Sequence, residues 1–178
     1  MQSSLFNRSS SLRKLAVAFS LLTPSLLFNL QAQDVIKVQS GASITVQNGA
    51  DMVVLGGISL DNGSSLVNNG SITLKQNGVS GAANWTDNNT TGYNHGTGKV
   101  VFNGNGGHSF SSPNSFERID VDASGHLSLG SNIQSNKWYL ANGRVNTNAF
   151  AAIALSGSQL AVEAAAGNTN FANSWFNG

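Results

Sequence analysis

From residue 36 to residue 74 the apolar side chains keep one parity. Ile36, Val38, Ala42, Ile44, Val46, Ala50, Met52, Val54, Ile58, Leu60, Leu66, Ile72 and Leu74 all stand at even positions. Side chains alternate across a strand, so a single apolar face survives only while the count stays in phase through every turn. Segments such as ASITV, ADMVV and SITL favour strand and are bounded by Gly, Asn and Ser clusters suited to positive φ. A helix is excluded there, because strict alternation makes no stripe at helical spacing and each interior glycine costs about 1 kcal/mol relative to alanine.

Two architectures use strands this short. Asn-Gly steps at Asn48, Asn62, Asn69, Asn77, Asn103 and Asn142 suit a meander of hairpins, packed as a β-sandwich. The alternative is a parallel β-helix, or β-solenoid, in which each strand pairs with its equivalent one coil away. A hairpin with such short arms gains few ladder bonds, whereas a stacked coil shares bonds with the coils above and below. The expected fold class is therefore an all-β parallel β-solenoid of short strands over residues 33–178, with the sandwich as the alternative. Gly41 and Gly63, 22 residues apart, mark a plausible circuit for one coil.

The polar, aperiodic stretch GVSGAANWTDNNTTGYNHGTG at 78–98 predicts an excursion looping out of the stack. Strand rhythm resumes at KVVF, residues 99–102, and continues through HSF, FERIDVDA, HLSL, KWYLANG, RVNT and AIALSG. Parity slips between Phe116 and Ile119, which predicts a bulge or corner. QLAVEAAAG at 159–167 fits a short helix and an apolar strand equally well.

The N-terminus follows different rules. Arg8, Arg13 and Lys14 precede an apolar stretch from Leu15 to Leu30, and the small residue Ala32 precedes Gln33. Residues 1–32 thus predict a secretory signal peptide, with an uncleaved anchor as the alternative. Pro24 and the absence of stop-transfer charges favour cleavage, leaving no expected membrane span. Of nine basic and eight acidic residues, three basic ones lie in this leader, so the remainder carries six against eight, a formal charge of −2. That balance argues against a nucleic-acid partner. Without cysteine, neither a disulfide framework nor a lipidated N-terminal cysteine is available.

Candidate chemistry is sparse. Asp120 and Asp122 stand two apart and share a face with Arg118, which suits a bound cation or a solvated face of paired charges. Glycoside hydrolysis needs a second carboxylate across the scissile bond, and sequence alone brings none of Asp51, Asp61, Asp87, Glu117 or Glu163 opposite this pair. His95, His108 and His126 lack ligand spacing, unless a coil register stacks His108 on His126. No serine sits in a GxSxG elbow. GGISLDNGS at 56–64 occurs once and cannot build a calcium-binding ladder, and GNGG at 104–107 opens no helix. No catalytic, cofactor-binding or metal-ligating residue is assigned, and no cofactor is expected. Trp85 and Tyr93, inside the polar stretch, are the candidate glycan contacts as exposed rings that stack on sugars; the competing role for Trp85 is to cap the open end of the stack.

NWTDN at 84–88, GTGKVVFNGNGGHSF at 96–110, FERIDVDASGHLSLGSNI at 116–133 and WYLANG at 138–143 together resemble a family of large secreted and cell-surface repeat proteins from Bacteroidetes. The resemblance spans roughly residues 34–178. It implies β-solenoid, adhesin-like stalks, often exported by type IX secretion through a separate C-terminal sorting domain. NSWFNG at 173–178 resembles stretches that lead onward into further domains, so the chain reads as an N-terminal fragment of a longer bacterial protein. The expected function is a non-catalytic, exported spacer or display module touching surface glycans or other cells. The alternative is a carbohydrate-active β-helix enzyme or its glycan-binding accessory module.

Overall fold

The computed structural model describes residues 35–76, 83–161 and 176–177. Contacts divide the chain between Ala32 and Gln33, and everything below concerns the second unit. The first coil contributes β1 (Val35–Val38), β2 (Ser43–Val46) and β3 (Asp51–Val54). The second contributes β4 (Gly57–Leu60), β5 (Ser65–Asn68) and β6 (Ser71–Gln76), and the third β7 (Trp85–Asp87), β8 (Tyr93–Asn94) and β9 (Lys99–Gly104). Later coils use two longer strands each: β10 (His108–Ser111) with β11 (Ser115–Ala123), β12 (His126–Leu129) with β13 (Ile133–Leu140), and β14 (Arg144–Asn146) with β15 (Ala152–Ala161). β16 (Phe176–Asn177) extends the first face once more.

Every strand pair among the described residues is parallel and joins equivalent strands of successive coils. One face is β1-β4-β7-β10-β12-β14-β16, a second is β2-β5-β8, and a third is β3-β6-β9-β11-β13-β15. The fold is a parallel β-solenoid of about six turns. Val35 faces Gly57 and Ser43 faces Ser65, each 22 residues on, and the Gly41 amide donates to the Gly63 carbonyl at 2.9 Å. The glycine-to-glycine circuit therefore measures the first coil. Coil length then varies: equivalent positions stand 28 residues apart at Asn69 and Thr97, and 19 apart at Glu117 and Asn136.

The even-numbered aliphatics point inward, with two exceptions. Val38, Val46, Val54, Ile58, Leu60, Leu66, Ile72 and Leu74 are buried, and Ile36, Ile44 and Met52 are half-buried in the first coil, which the described chain covers on one side only. Ala42 and Ala50 are exposed, because they sit at corners between strands, where alternation has no meaning. The slip between Phe116 and Ile119 is a corner: both side chains are buried and the intervening Glu117 and Arg118 both point outward, so one strand serves two faces. β13 repeats the device between Ser135 and Trp138.

Residues 83–98 are not an excursion. β7 pairs with β4 and β10, and β8 pairs with β5, so this stretch is a full coil in the middle of the stack. Its polar residues occupy corners, where they bond to neighbouring coils. Residues 77–82 lie outside the described residues. Of QLAVEAAAG, residues 159–161 belong to strand β15, and 162–167 lie outside the described residues.

Candidate functional site

Trp85 and Tyr93 were expected as exposed sugar-stacking rings, or Trp85 as an end cap. Neither arrangement occurs. Trp85 is fully buried and Tyr93 nearly so, and both stand midway along the stack. The reason is register: Trp85 continues the inward row between Ile58 and Phe110, and Tyr93 follows Leu66. Trp85 meets Tyr93 edge to face at 5.0 Å, Phe116 at 5.5 Å and Phe110 at 6.2 Å. Phe116 lies tilted 4.6 Å from Tyr93. Burial pushes the Tyr93 phenol well above its ordinary range; the Asn68 hydrogen bond opposes that shift and the Asp87 charge adds to it.

The corner after this row holds a buried polar ladder that sequence reading missed. Asp87 Oδ2 accepts from Ser112 Oγ at 2.7 Å and from Asn114 Nδ2 at 2.8 Å, while its Oδ1 accepts from the Asn89 amide at 2.9 Å. Asn89 Nδ2 in turn reaches the Ser64 carbonyl one coil back at 2.8 Å. Ser131 Oγ donates to the Ser112 carbonyl at 3.0 Å, carrying the ladder one coil further. A positional signal did exist: Asp87, Ser112 and Ser131 each stand two residues beyond an inward member of the row Trp85, Phe110, Leu129. These groups satisfy one another and close a corner.

The histidines form no common site. His108 is buried beside Phe102, ring centroids 5.6 Å apart, and its Nδ1 contacts the Ala83 carbonyl at 2.8 Å. A carbonyl only accepts, so Nδ1 carries the proton in that bond. His108 Nε2 makes no hydrogen bond. Burial lowers the His108 pKa, outweighing the backbone groups of Ala83 and Asn103 that favour the protonated ring, and nearby His126 adds to the lowering. In register His108 faces Leu127 and His126 faces Arg144, one residue out of the stacking that a shared site requires. His95 Nδ1 bonds the Gly96 carbonyl at 2.8 Å. Among the described residues no group of three or more His, Asp or Glu side chains is placed to hold a metal ion.

The charged residues converge on the outer side of the third face. Register places Asp51, Ser71, Lys99, Arg118 and Lys137 side by side on β3, β6, β9, β11 and β13. Arg118 grips Asp120 with both nitrogens, Nε to Oδ1 at 2.6 Å and Nη2 to Oδ2 at 3.1 Å, and its guanidinium lies 4.9 Å over the Tyr139 ring. Lys99 approaches the same carboxylate at 3.9 Å. Lys137 pairs with Glu117 at 3.4 Å, and Asn136 donates to Glu117 at 2.6 Å. The Asn136 bond holds the Glu117 carboxyl below its ordinary pKa against the opposing effect of burial, with Lys137 assisting. Asp122 accepts from Asn103 Nδ2 at 2.9 Å. Asp120 is thus ion-paired with Arg118 and Lys99, whereas the Asp122 carboxylate is met by the neutral Asn103 amide.

This row floors a groove of about 360 Å³, walled by the corner residues Asn48, Asn69, Thr97 and Glu117. Two carboxylates line it, Asp51 and Glu117. Asp51 lies three strands from the Arg118 strand, about 14 Å at the usual strand spacing. A glycosidase pair stands about 5–9.5 Å apart, so these two do not make one. Sequence carried one sign of the ladder: KVVF, RIDV and KWYL each open with a base followed by inward residues one and three places on.

No family model matches the chain, and no curated protein and no solved structure matches it either. No described helix is long and apolar enough to cross a membrane.

Proposed function

We propose that this chain is an exported, non-catalytic β-solenoid segment serving as a cell-surface spacer or display module of an adhesin-like bacterial protein. The observation that carries the proposal is the unbroken parallel ladder from β1 to β16 around a closed aliphatic and aromatic interior. Such a stack transmits position along its axis, because each coil is fixed by its two neighbours. The leader of basic residues followed by Leu15 to Leu30 supports export, and the family resemblance supports both a bacterial surface setting and further domains after Gly178. The ion-paired carboxylates and the solitary histidines support a role without turnover. Glycans or other cells are the proposed partners, met by the polar outer faces.

The test is localisation. In a bacterial host, the chain should lose residues 1–32, read by the mass of its N-terminal peptide, and become accessible to externally added protease or antibody when joined to a surface-anchoring domain. Retention of the leader on a protein found only in the cytoplasm would sink the proposal.

A further inference from the structure

We infer that the groove on the third face binds an anionic polysaccharide, a single extended chain laid along the solenoid axis across β9, β11 and β13. This inference rests on the display reading above for its biological setting, but its chemistry comes from the groove.

Lys99, Arg118 and Lys137 stand side by side on three adjacent strands, an arrangement of like charges that opposes strand pairing unless something counters it. Two internal carboxylates do so in part. Asp120 serves both Arg118 and Lys99, and Glu117 serves Lys137. The depth of the partners decides what a ligand meets. The cationic side chains are 43%, 39% and 52% exposed, whereas Asp120 is 8% and Glu117 25% exposed. The carboxylates lie behind the bases, and the groove presents cations outward.

Geometry then selects the kind of anion. Bases recur at one strand spacing, about 4.8 Å. A 1→4-linked pyranose chain advances by nearly the same step per ring but rotates at each ring, so acidic groups on one side recur every second or third ring; Lys99 and Lys137, two strand spacings apart across the Arg118–Asp120 pair, suit acidic groups on alternate rings. The three base-bearing strands span about 10 Å, room for roughly two to three rings. Asn48, Asn69, Ser71 and Thr97 along the sides provide hydrogen-bonding groups for ring hydroxyls. A nucleic acid fits less well, since single-strand sites stack bases on exposed aromatics and the ring beside this row, Tyr139, lies under Arg118. Although the chain after residue 32 has a net charge of −2, the β9–β13 end of the groove presents three half-exposed bases, and the exposed Asp51 on β3 bounds the stretch that an anionic chain can occupy.

The test is titration of the purified full chain with hexagalacturonate and with a sulfated heparin-type hexasaccharide, with cellohexaose and a hexameric oligothymidylate as controls. Binding of one or both anionic sugars is expected, weakening severalfold between about 50 and 500 mM salt as the charges are screened. Whichever binds tighter identifies the anion as carboxylate or sulfate. Removing the charge from an exposed pair costs about two- to fivefold, so Lys99→Gln with Lys137→Gln should weaken binding about tenfold. The same positions changed to Arg should retain it. Thr97→Trp, which leaves every charge in place and narrows the groove at an exposed position, should abolish it. Unchanged circular dichroism and melting temperature establish that each variant is folded. The inference is overturned by no binding of either anionic sugar, by equal binding of cellohexaose, by tighter binding of oligothymidylate, or by full affinity in the folded Gln or Trp variants. None of these outcomes bears on leader removal or surface accessibility, so the two proposals fail separately.

Discussion

At the scale of single residues, the interior is aromatic where the coil is most polar in sequence. Trp85 is the largest side chain of that cluster and touches rings from its own coil and from the next. Trp85→Ala should cost about 3–5 kcal/mol of unfolding free energy, read by urea denaturation, because the cavity is walled by side chains fixed on both neighbouring coils. Trp85→Phe should cost markedly less, since it keeps an aromatic ring in the cluster and removes a buried indole N–H that has no hydrogen-bond partner. Equal losses in the two variants would show that ring packing is not what the site supplies. His108 gives a pH signature. Its folded pKa is lowered, so above about pH 6.5 the ring is neutral in both folded and unfolded chains and its full contribution is present. As pH falls below that value the unfolded chain takes up a proton that the folded chain refuses, and stability drops by up to about 1.4 kcal/mol per pH unit until the folded pKa is reached. Comparing urea midpoints at about pH 7.5 and about pH 5.5 tests this. His108→Leu, with an apolar neighbour at Leu127, should flatten the slope. A slope unchanged in that variant would assign the effect elsewhere.

At the scale of strands and corners, each corner must let one coil lie flat on the next. Gly49 has φ of 77° and open space around a notional Cβ, so Gly49→Ala pays only the left-handed backbone penalty of about 1–2 kcal/mol. Gly70 differs: its Cβ would overlap the carbonyl oxygens of Ala50 and Gln47 on the preceding coil. Gly70 carries no left-handed penalty, but Gly70→Ala forces two coils apart against fixed carbonyl oxygens and should cost about 3 kcal/mol, the upper end for overpacking, measured in the same denaturation series. The reverse order would mean that backbone conformation, and not inter-coil approach, governs the corners. This division between strands and corners also explains what the sequence disclosed. β1 to β6 were legible because the connections between them are four or two residues long, even counts that keep the alternation in phase, and the Phe116 to Ile119 slip was legible because it falls inside one long strand, β11. β7 and β8 were not, because three and two residues carry no period and their Asn, Thr and Gly surroundings read as loop. The shared face of Arg118 and Asp120 could be read within one strand. The row Lys99, Arg118, Lys137 crosses coils at a constant step of 19 residues, a short repeat masked by the coils before it, where equivalent positions step by 20 from Asp51 to Ser71 and by 28 from Ser71 to Lys99.

At the scale of the whole solenoid, stability is approximately a sum over coils and the interfaces between them, so the stack should tolerate loss of a complete turn and not loss of part of one. Register supplies the cut. Phe116 faces Ser135 and Arg118 faces Lys137, so deleting residues 118–136 joins Glu117 to Lys137 at equivalent points of two coils. β9 would then meet the remainder of β13, with Val100 facing Trp138 and Phe102 facing Leu140, as Ile119 and Val121 face them now. The Trp85, Tyr93, Phe110 and Phe116 cluster stays intact. The shortened chain should remain folded, with a parallel-sheet circular dichroism spectrum and a single cooperative melt at lower temperature. Deleting only residues 118–127 removes less apolar surface, sparing the buried Leu129 and Ile133, but sets a corner against a face, turning Trp138 and Leu140 out of the inward rows. That chain should not fold, and should be lost to proteolysis under conditions where the longer deletion survives. If the partial deletion proved the more stable of the two, the coil would not be the unit in which this protein is built, and the groove across its coils would lose the repeat on which its spacing depends.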